Sequence, residues 1–165
     1  MAFRKKSEGL LTIEQTRDLQ AVRRLLAEGG LSDVGVDSPA SCYVMAYHGR
    51  APIGVVGVEA KVTAALICSV FINHQFRDHP VAADLFAAAR KAAHSRGACE
   101  LYGLGFRSEE NDFFKRLGFE EVRLADLLCR LDGVPQIEYC KSHPEELERG
   151  VAYRLDISRD GVIER

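Results

Sequence analysis

An almost entirely apolar stretch, residues 63–72, runs directly into the start of a helix, and this junction constrains the fold more than any other feature. A strand without polar alternation is typical of a central strand that is covered on both faces. From Pro80 onward the apolar residues recur at helical spacing, and Gly97 supplies a stop signal. Arg77 lies at the junction, where the backbone amides of a helix start can bind a phosphate group. The chain therefore predicts a central strand, a phosphate-binding turn and a helix in succession.

The remaining hydrophobic pattern predicts an α+β domain with one parallel crossover. The other strands are predicted over residues 9–14, 42–48, 53–59, 99–104, 119–124 and 151–157, and the other helices over residues 18–28 and 111–117. In the strand over 53–59, Gly54 and Gly57 predict bends or close packing. Residues 31–41 predict a loop, and the Glu-rich residues 125–150 predict an insertion before the last strand. We expect residues 1–8 to be a flexible tail and residues 9–165 to form one domain.

Composition limits the classes of partner. The 165 residues carry a formal net charge of −2 and are 47% hydrophobic, which is enough for a real core and leaves no basic surface for nucleic acid. No apolar run approaches the roughly 18 residues that a membrane span needs, and the N-terminus lacks an apolar signal core. The odd count of 5 cysteines argues against a disulfide framework. We expect a cytoplasmic protein without nucleic-acid or membrane partners. The sequence does not decide between a monomer and a homodimer.

The element order, together with two motifs, resembles the GNAT superfamily of acyl-CoA-dependent N-acyltransferases over roughly residues 9–157. The acyl-CoA loop of that family reads Gln or Arg, any two residues, Gly, any residue, and then Gly or Ala. Residues 77–82, Arg-Asp-His-Pro-Val-Ala, occupy that loop here. The Tyr-x-x-Leu-Gly-Phe ending of the family falls on Phe114 to Phe119. The insertion, with Pro135 and Tyr139, resembles the amino-acid N-acetyltransferases of the acetylglutamate-synthase and arsenic-resistance types.

The resemblance implies a mixed, mostly antiparallel sheet with helices on both faces. It also implies N-acetyl transfer from acetyl-CoA to a small amine or amino acid by direct attack in a ternary complex. The cofactor-binding residues that it implies are Arg77, Asp78, His79, Val81 and Ala82 around the pyrophosphate, and the amides of Val70 and Ile72 at the thioester carbonyl.

The chain departs from the family pattern at two positions. Pro80 stands where the family prefers Gly, so one potential phosphate donor is absent, although proline also suits a helix start. Phe114 stands where the family commonly has a Tyr that protonates the departing thiolate, and Phe has no hydroxyl. Tyr102, on the neighbouring strand, is the candidate substitute acid, while a half-buried strand Tyr is the plainer explanation. The available general bases are Glu59 and His74, and both residue types are commonly solvated structural groups.

Other reactive side chains predict less. Cys129, Cys140 and His143 offer metal ligands at short spacing, but a closed zinc site needs four ligands and no fourth is clearly placed. Cys68 could form a thiol nucleophile with His74, whereas its apolar neighbours indicate a core position. Two function classes therefore remain: an N-acetyltransferase, and a degenerate GNAT-like binding or regulatory module without efficient acetyl transfer.

Overall fold

The computed structural model describes residues 10–78, 80–106 and 112–161, which form a seven-stranded sheet with helices on both faces. The strands are β1 (Leu11–Thr16), β2 (Ser41–His48), β3 (Ala51–Lys61), β4 (Ala64–Ile72), β5 (Glu100–Phe106), β6 (Glu120–Val122) and β7 (Gly150–Asp156). The helices are α1 (Leu19–Glu28), α2 (Val81–Ser95), α3 (Asp112–Arg116), α4 (Leu124–Arg130), α5 (Pro135–Lys141) and α6 (Pro144–Leu147), with a 3-10 turn at His74–Phe76. Among these helices, none is both long and apolar enough to cross a bilayer.

The strand order across the sheet is β1-β2-β3-β4-β5-β7-β6. Every neighbouring pair is antiparallel except β4 and β5, which are parallel. Parallel neighbours need a crossover, and α2 provides it between them. The α+β class and the mixed, mostly antiparallel sheet that the sequence predicted are confirmed.

The two faces of the sheet carry different layers. On one face, here called the α2 face, alternate strand residues pack against the buried side of α2 in one continuous apolar cluster that includes Val44, Val56, Ile67, Leu85 and Ala89. The opposite face, here called the α1 face, carries two separate clusters. One cluster joins α1 to β2 and β3, and the other joins α4 and α5 to β4, β5 and β7.

The insertion contains more regular structure than the sequence predicted. Residues 125–150 include most of α4 and all of α5 and α6. Pro135 and Pro144 each begin a helix, a position where the missing N–H of proline costs nothing. The buried Leu127, Leu131 and Ile137 hold α4 and α5 on the α1 face, so the insertion is part of the core.

The close packing predicted for the glycines of β3 is confirmed. A β-carbon at Gly54 would lie 2.8 Å from Cδ1 of Leu85 on the α2 face. A β-carbon at Gly57 would lie 2.8 Å from Cε1 of Tyr43 and 3.0 Å from Sγ of Cys68 on the α1 face. The two 2.8 Å contacts are closer than a real β-carbon tolerates, so each glycine admits a neighbouring side chain to the sheet surface.

Candidate functional site

The two parallel strands at the centre of the sheet separate halfway along their length. The pairing of β4 with β5 ends at Ile67 and Gly103. Beyond that point β4 stays paired with β3 as far as Ile72, and β5 stays paired with β7 as far as Phe106. The sheet therefore opens between β4 and β5 at their carboxyl ends. An opening of this kind exposes main-chain donors and acceptors that a continuous sheet would have paired.

A β-bulge in β4 lies beside this opening. Gly57 of β3 pairs with Cys68, but Val55 pairs with Phe71, so β4 carries one extra residue between the two pairs. Ser69 has φ 53, a left-handed conformation that is uncommon for a residue other than Gly, Asn or Asp. Bulges redirect a strand and its side chains, and here the redirection comes within two residues of the last β4–β5 pair.

Two residues of β4 beyond its last pair with β5, Val70 and Ile72, lie next to the opening. The amide of Asn73 donates to the carbonyl of Ile53 at 2.7 Å. Because bonding directions alternate along an antiparallel strand, the neighbouring amide of Ile72 points away from β3. Val70 lies inside the bulge, where this alternation is interrupted. Both residues are half-buried. The two residues that the sequence analysis assigned to a thioester carbonyl thus lie along the opening, and that role stays a prediction.

The start of α2 lies at the same end of the sheet as the opening, because the chain reaches it from the carboxyl end of β4. Pro80 caps the helix through its carbonyl, which accepts from the amide of Asp84 at 3.2 Å. The first-turn amides, including those of Ala82 and Ala83, have no acceptor inside the helix and carry the positive end of its dipole. This arrangement attracts an anion.

The predicted phosphate-binding residues are spread over the outside and the inside of this turn. Arg77 and Asp78 are exposed directly before the helix. Ala82 is half-buried, whereas the side chain of Val81 packs in the core and leaves only its main chain toward the turn. His79 lies outside the described residues. The roles of all five stay predictions.

Phe114 and Tyr102 lie on opposite faces of the sheet. The ring of Phe114 contacts Gly103 on the α2 face and stacks on Tyr153 with a centroid distance of 5.1 Å. Tyr102 packs with α4 and α5 on the α1 face, and its hydroxyl donates to Glu100 at 2.9 Å. Burial raises the pKa of Tyr102, so the phenol stays protonated. Tyr102 therefore cannot present its hydroxyl where a Tyr at position 114 would.

Glu59 is the buried charged residue of the described chain, with 0% of its surface exposed. One carboxylate oxygen accepts from the amide of Gln136 at the start of α5 at 2.9 Å, and the other lies 3.4 Å from the hydroxyl of Ser41. Burial raises the pKa of Glu59 to about 7. Within the described residues no Lys, Arg or His forms an ion pair with it. His74, the other candidate base, is exposed on the 3-10 turn.

Sequence reasoning missed two features of this region. Tyr43 lies on the α1 face with its hydroxyl buried beside Gly57, and an apolar strand gave no sign that a phenol would be left without a partner there. The bulge at Ser69 was also unpredicted, because a serine in an apolar strand carries no bulge signal. Gly57 was the available clue, since a strand glycine often marks a close approach.

The other candidates do not form sites. No group of three or more metal-capable side chains clusters in residues 10–78, 80–106 and 112–161. All five cysteines are free thiols, and burial raises the pKa of the Cys68 thiol well above its usual range, which makes it a poor nucleophile.

A surface cavity of about 320 Å³ lies at the end of β5 opposite to the opening, where Glu100 pairs with Arg130 and Arg154. Each of these three charged side chains therefore already has an ion-pair partner.

This chain is similar to known proteins in its structure and not in its sequence. The chain matches no protein-family model and no curated protein. An acetyltransferase of the GNAT family from Staphylococcus aureus Mu50 superposes with a TM-score of 0.68 and 9% identity, over 90% of this chain and 99% of that one. PaiA N-acetyltransferase from Thermoplasma acidophilum in complex with coenzyme A superposes with a TM-score of 0.61 and 12% identity, over 89% and 99%.

A third structure is an N-acetylglutamate synthase from Neisseria gonorrhoeae in complex with coenzyme A and N-acetyl-glutamate. Its TM-score is 0.64 at 16% identity, over 90% of this chain and 35% of that longer chain. Identities this low relate the folds and leave the chemistry of each site to be argued from its own residues.

Proposed function

Since this chain has the GNAT fold, we propose that it transfers an acetyl group from acetyl-CoA to the nitrogen of a small amine or amino acid in a ternary complex. The observation that carries the proposal is the juxtaposition at one end of the sheet. The opening between β4 and β5, the bulge at Ser69 and the start of α2 lie together there. An extended thioester with a phosphate at its far end matches an opening lined by amides and followed by a helix start.

The main chain supplies the proposed binding groups. The pyrophosphate of CoA would lie at the first turn of α2, where Arg77 adds an exposed positive charge. The amides of Val70 and Ile72 would bind the thioester carbonyl and stabilise the oxyanion as the amine adds to the carbonyl carbon. The nitrogen then loses its extra proton to water, the C–S bond breaks, and the CoA thiolate leaves. Because the conjugate acid of a thiolate has a pKa near 8.5, the thiolate leaves without obligatory protonation.

The amine must be neutral to attack the thioester, so one proton has to leave it before the new C–N bond forms. Glu59 is the proposed base, acting through water, because its raised pKa of about 7 suits proton transfer near neutral pH. Its carboxylate is covered by Gln136 and Ser41, so the proton has to pass through the α1 face. Tyr102 stays a proposed acid only for a thiolate that lies on the α1 face.

The competing function is a degenerate GNAT-like binding or regulatory module. Two observations favour it. Pro80 contributes no amide at the helix cap, and the ring of Phe114 fills the space next to Gly103 without offering a proton. A module of this class would keep the fold but bind acetyl-CoA weakly or not at all.

Titration calorimetry with acetyl-CoA and with free CoA separates the two functions. A thiol-release assay over a panel of amino acids and primary amines then tests transfer. Amino acids belong in the panel because a structure similar to this chain is that of an N-acetylglutamate synthase. The proposal requires a CoA affinity that calorimetry can measure and turnover with at least one acceptor. No binding together with no turnover leaves the module as the function of this chain.

A further inference from the structure

The hydroxyl of Tyr43 is buried without a partner. Tyr43 has 1% of its surface exposed, and its hydroxyl makes no hydrogen bond within the part of the chain that the structure describes. A buried hydroxyl without a partner lowers stability, and native proteins rarely retain one. A phenylalanine would pack equally well at this position. Stability of the fold therefore does not explain why this hydroxyl is present. A hydrogen bond to a bound molecule would explain it.

The position of Tyr43 is set by Gly57. Tyr43 pairs with Gly57 across β2 and β3, and Gly57 pairs with Cys68 across β3 and β4. A β-carbon on Gly57 would contact both Cε1 of Tyr43 and Sγ of Cys68, so the ring lies across the glycine toward β4. Cys68 directly precedes the bulge at Ser69. The hydroxyl is thus brought toward the opening between β4 and β5.

The groups around this hydroxyl favour a cationic or N–H-rich ligand. Glu59 lies on the same face of β3, is fully buried, and has no cationic partner within residues 10–78, 80–106 and 112–161. Cys42 and Cys68 are the other titratable neighbours, together with Arg23. Arg23 is already paired with Asp33 and Asp37 at 3.6 and 2.5 Å. A carboxylate without a counter-charge attracts a positive group and repels an anion.

The CoA phosphates are assigned to the start of α2, which packs on the other face of the sheet. The face that carries Tyr43 and Glu59 is therefore available to the second substrate. Residues 34–36 and the start of α5 cover Glu59 from above, because Gln136 donates both to Glu59 and to the carbonyl of Val34. The side left for a small ligand is the opening in the sheet, which begins where the β4–β5 pairing ends at Ile67 and Gly103.

We infer that the hydroxyl of Tyr43 hydrogen-bonds the amine of the acceptor, next to the carboxylate of Glu59, and so selects primary amines and amino acids with a free ammonium group. The inference rests on the proposed acetyl transfer. It adds a binding residue on β2 that neither the sequence motifs nor the helix-start site includes.

The test is Tyr43→Phe, with Tyr47→Phe as the matched control. Tyr47 lies on the same strand and the same face, and its hydroxyl donates to the sulfur of Met45 at 3.7 Å. Tyr43→Phe should unfold at the same temperature as the wild type or higher, and its calorimetric Kd for CoA should be unchanged. Its KM for the acceptor should rise by about tenfold, the loss of roughly one hydrogen bond to a charged group. Tyr47→Phe should match the wild type in all three measurements.

Each other outcome overturns the inference. A lower unfolding temperature for Tyr43→Phe makes the hydroxyl a structural group, and an unchanged acceptor KM removes it from the acceptor site. A weaker Kd for CoA places it in the CoA site. Normal wild-type turnover with an unaffected Tyr43→Phe refutes this inference alone. Absence of wild-type turnover on every amine and amino acid of the panel refutes the proposed function as well.

Discussion

The two faces of the sheet differ in how continuously they are covered by apolar side chains. The α2 face is closed by α2, with Phe114 of α3 beside it, over one continuous apolar cluster in which Leu85, Ala89 and Ala93 are fully buried. The α1 face is closed by α1 on one side and by α4 and α5 on the other, as two separate apolar clusters. Near the boundary between them lie a buried carboxyl, Glu59, and the buried hydroxyl of Tyr43.

The contrast between an apolar face and a face with buried polar groups distinguishes side chains that stabilise the fold from side chains that carry another role. Apolar burial is favourable everywhere on the α2 face, so its side chains need no further explanation. A buried carboxyl costs stability without a counter-charge and a buried hydroxyl without a hydrogen-bond partner, so Glu59 and Tyr43 indicate a second role for the α1 face. The proposed chemistry uses both faces: the α2 side binds the CoA phosphates, and the α1 side receives the acceptor.

The largest expected effect is on the α2 side. Arg77→Ala should weaken CoA binding by about 10- to 100-fold, because a hydrogen bond to a charged group is worth roughly 1.5–3 kcal/mol. Arg77 is exposed, so the unfolding temperature should not change. Calorimetry with CoA measures the affinity, and Arg24→Ala, an exposed arginine of α1, is the control. Equal affinity of wild type and Arg77→Ala would remove Arg77 from the site.

The two glycines of β3 compare the faces directly. Gly57→Ala should lower the free energy of unfolding by roughly 1–3 kcal/mol, because its β-carbon would press on the Tyr43 ring and lie 3.1 Å from the main-chain oxygen of Cys68. Gly54→Ala should cost less, since it meets the flexible end of Leu85 at 2.8 Å. Urea unfolding measures both. A larger loss for Gly54→Ala would show that the α2 face is the more tightly packed.

Glu59 should make the stability of the protein depend on pH. Burial raises its pKa from 4.5 to about 7, so the folded state keeps a proton that the unfolded state releases between these values. Stability should fall as pH rises through this window. In Glu59→Gln that loss disappears, and the variant should gain roughly 1–3 kcal/mol relative to the wild type between pH 5 and pH 8. Urea unfolding at both pH values, with the exposed Glu14→Gln as control, tests this. A difference that does not change with pH would contradict the burial of an unpaired carboxylate.

Restoring a main-chain N–H at Pro80, the cap of α2, should change the affinity for acetyl-CoA. Pro80→Gly should tighten acetyl-CoA binding by up to about tenfold, because it adds a donor worth roughly 0.5–1.5 kcal/mol at the phosphate. Pro80→Ala also restores the N–H and avoids the added flexibility of glycine, so it separates the donor from the backbone entropy. Calorimetry compares the three proteins. If neither variant binds more tightly than the wild type, the cap amide does not face the phosphate.

The smallest expected effect is a gain in turnover. Phe114→Tyr should raise kcat a few-fold, well below the roughly 10²- to 10⁴-fold of a well-positioned acid, because a hydroxyl in a pocket shaped around Phe finds imperfect geometry. Thiol release measures the rate. Phe119→Tyr adds a hydroxyl to the same cluster, with its ring 5.2 Å from that of Phe114, and should bring no gain. Equal rates for both variants would mean that the thiolate does not leave beside residue 114.

Much of the fold could be predicted because its signals are local. The apolar run of β4, the helical spacing of α2 and the stop at Gly97 placed both elements to within one or two residues. The helices of the insertion were missed because each is short, so their apolar residues do not complete a clear period. Their fold depends on burial against Leu66 and Tyr102, which are distant in sequence.

The candidate site could be predicted only in part. Arg77 and the start of α2 are close in sequence, so their motif is visible without a structure. The pairing of Tyr43 with Gly57, and of Glu59 with Gln136, joins residues 14 and 77 positions apart. A Glu near the end of a strand is commonly exposed, and nothing in the sequence indicated that α5 would cover this one.

The sequence by itself determined the order of the strands, the central position of β4 and the start of α2 after Arg77, because hydrophobic period and helix capping act over a few residues. The tertiary structure alone decided which side chains became buried, where the sheet opens, and which polar groups meet on the α1 face. Burial and strand pairing depend on distant partners. The pKa of Glu59 and the unpaired hydroxyl of Tyr43 are therefore properties of the packed molecule.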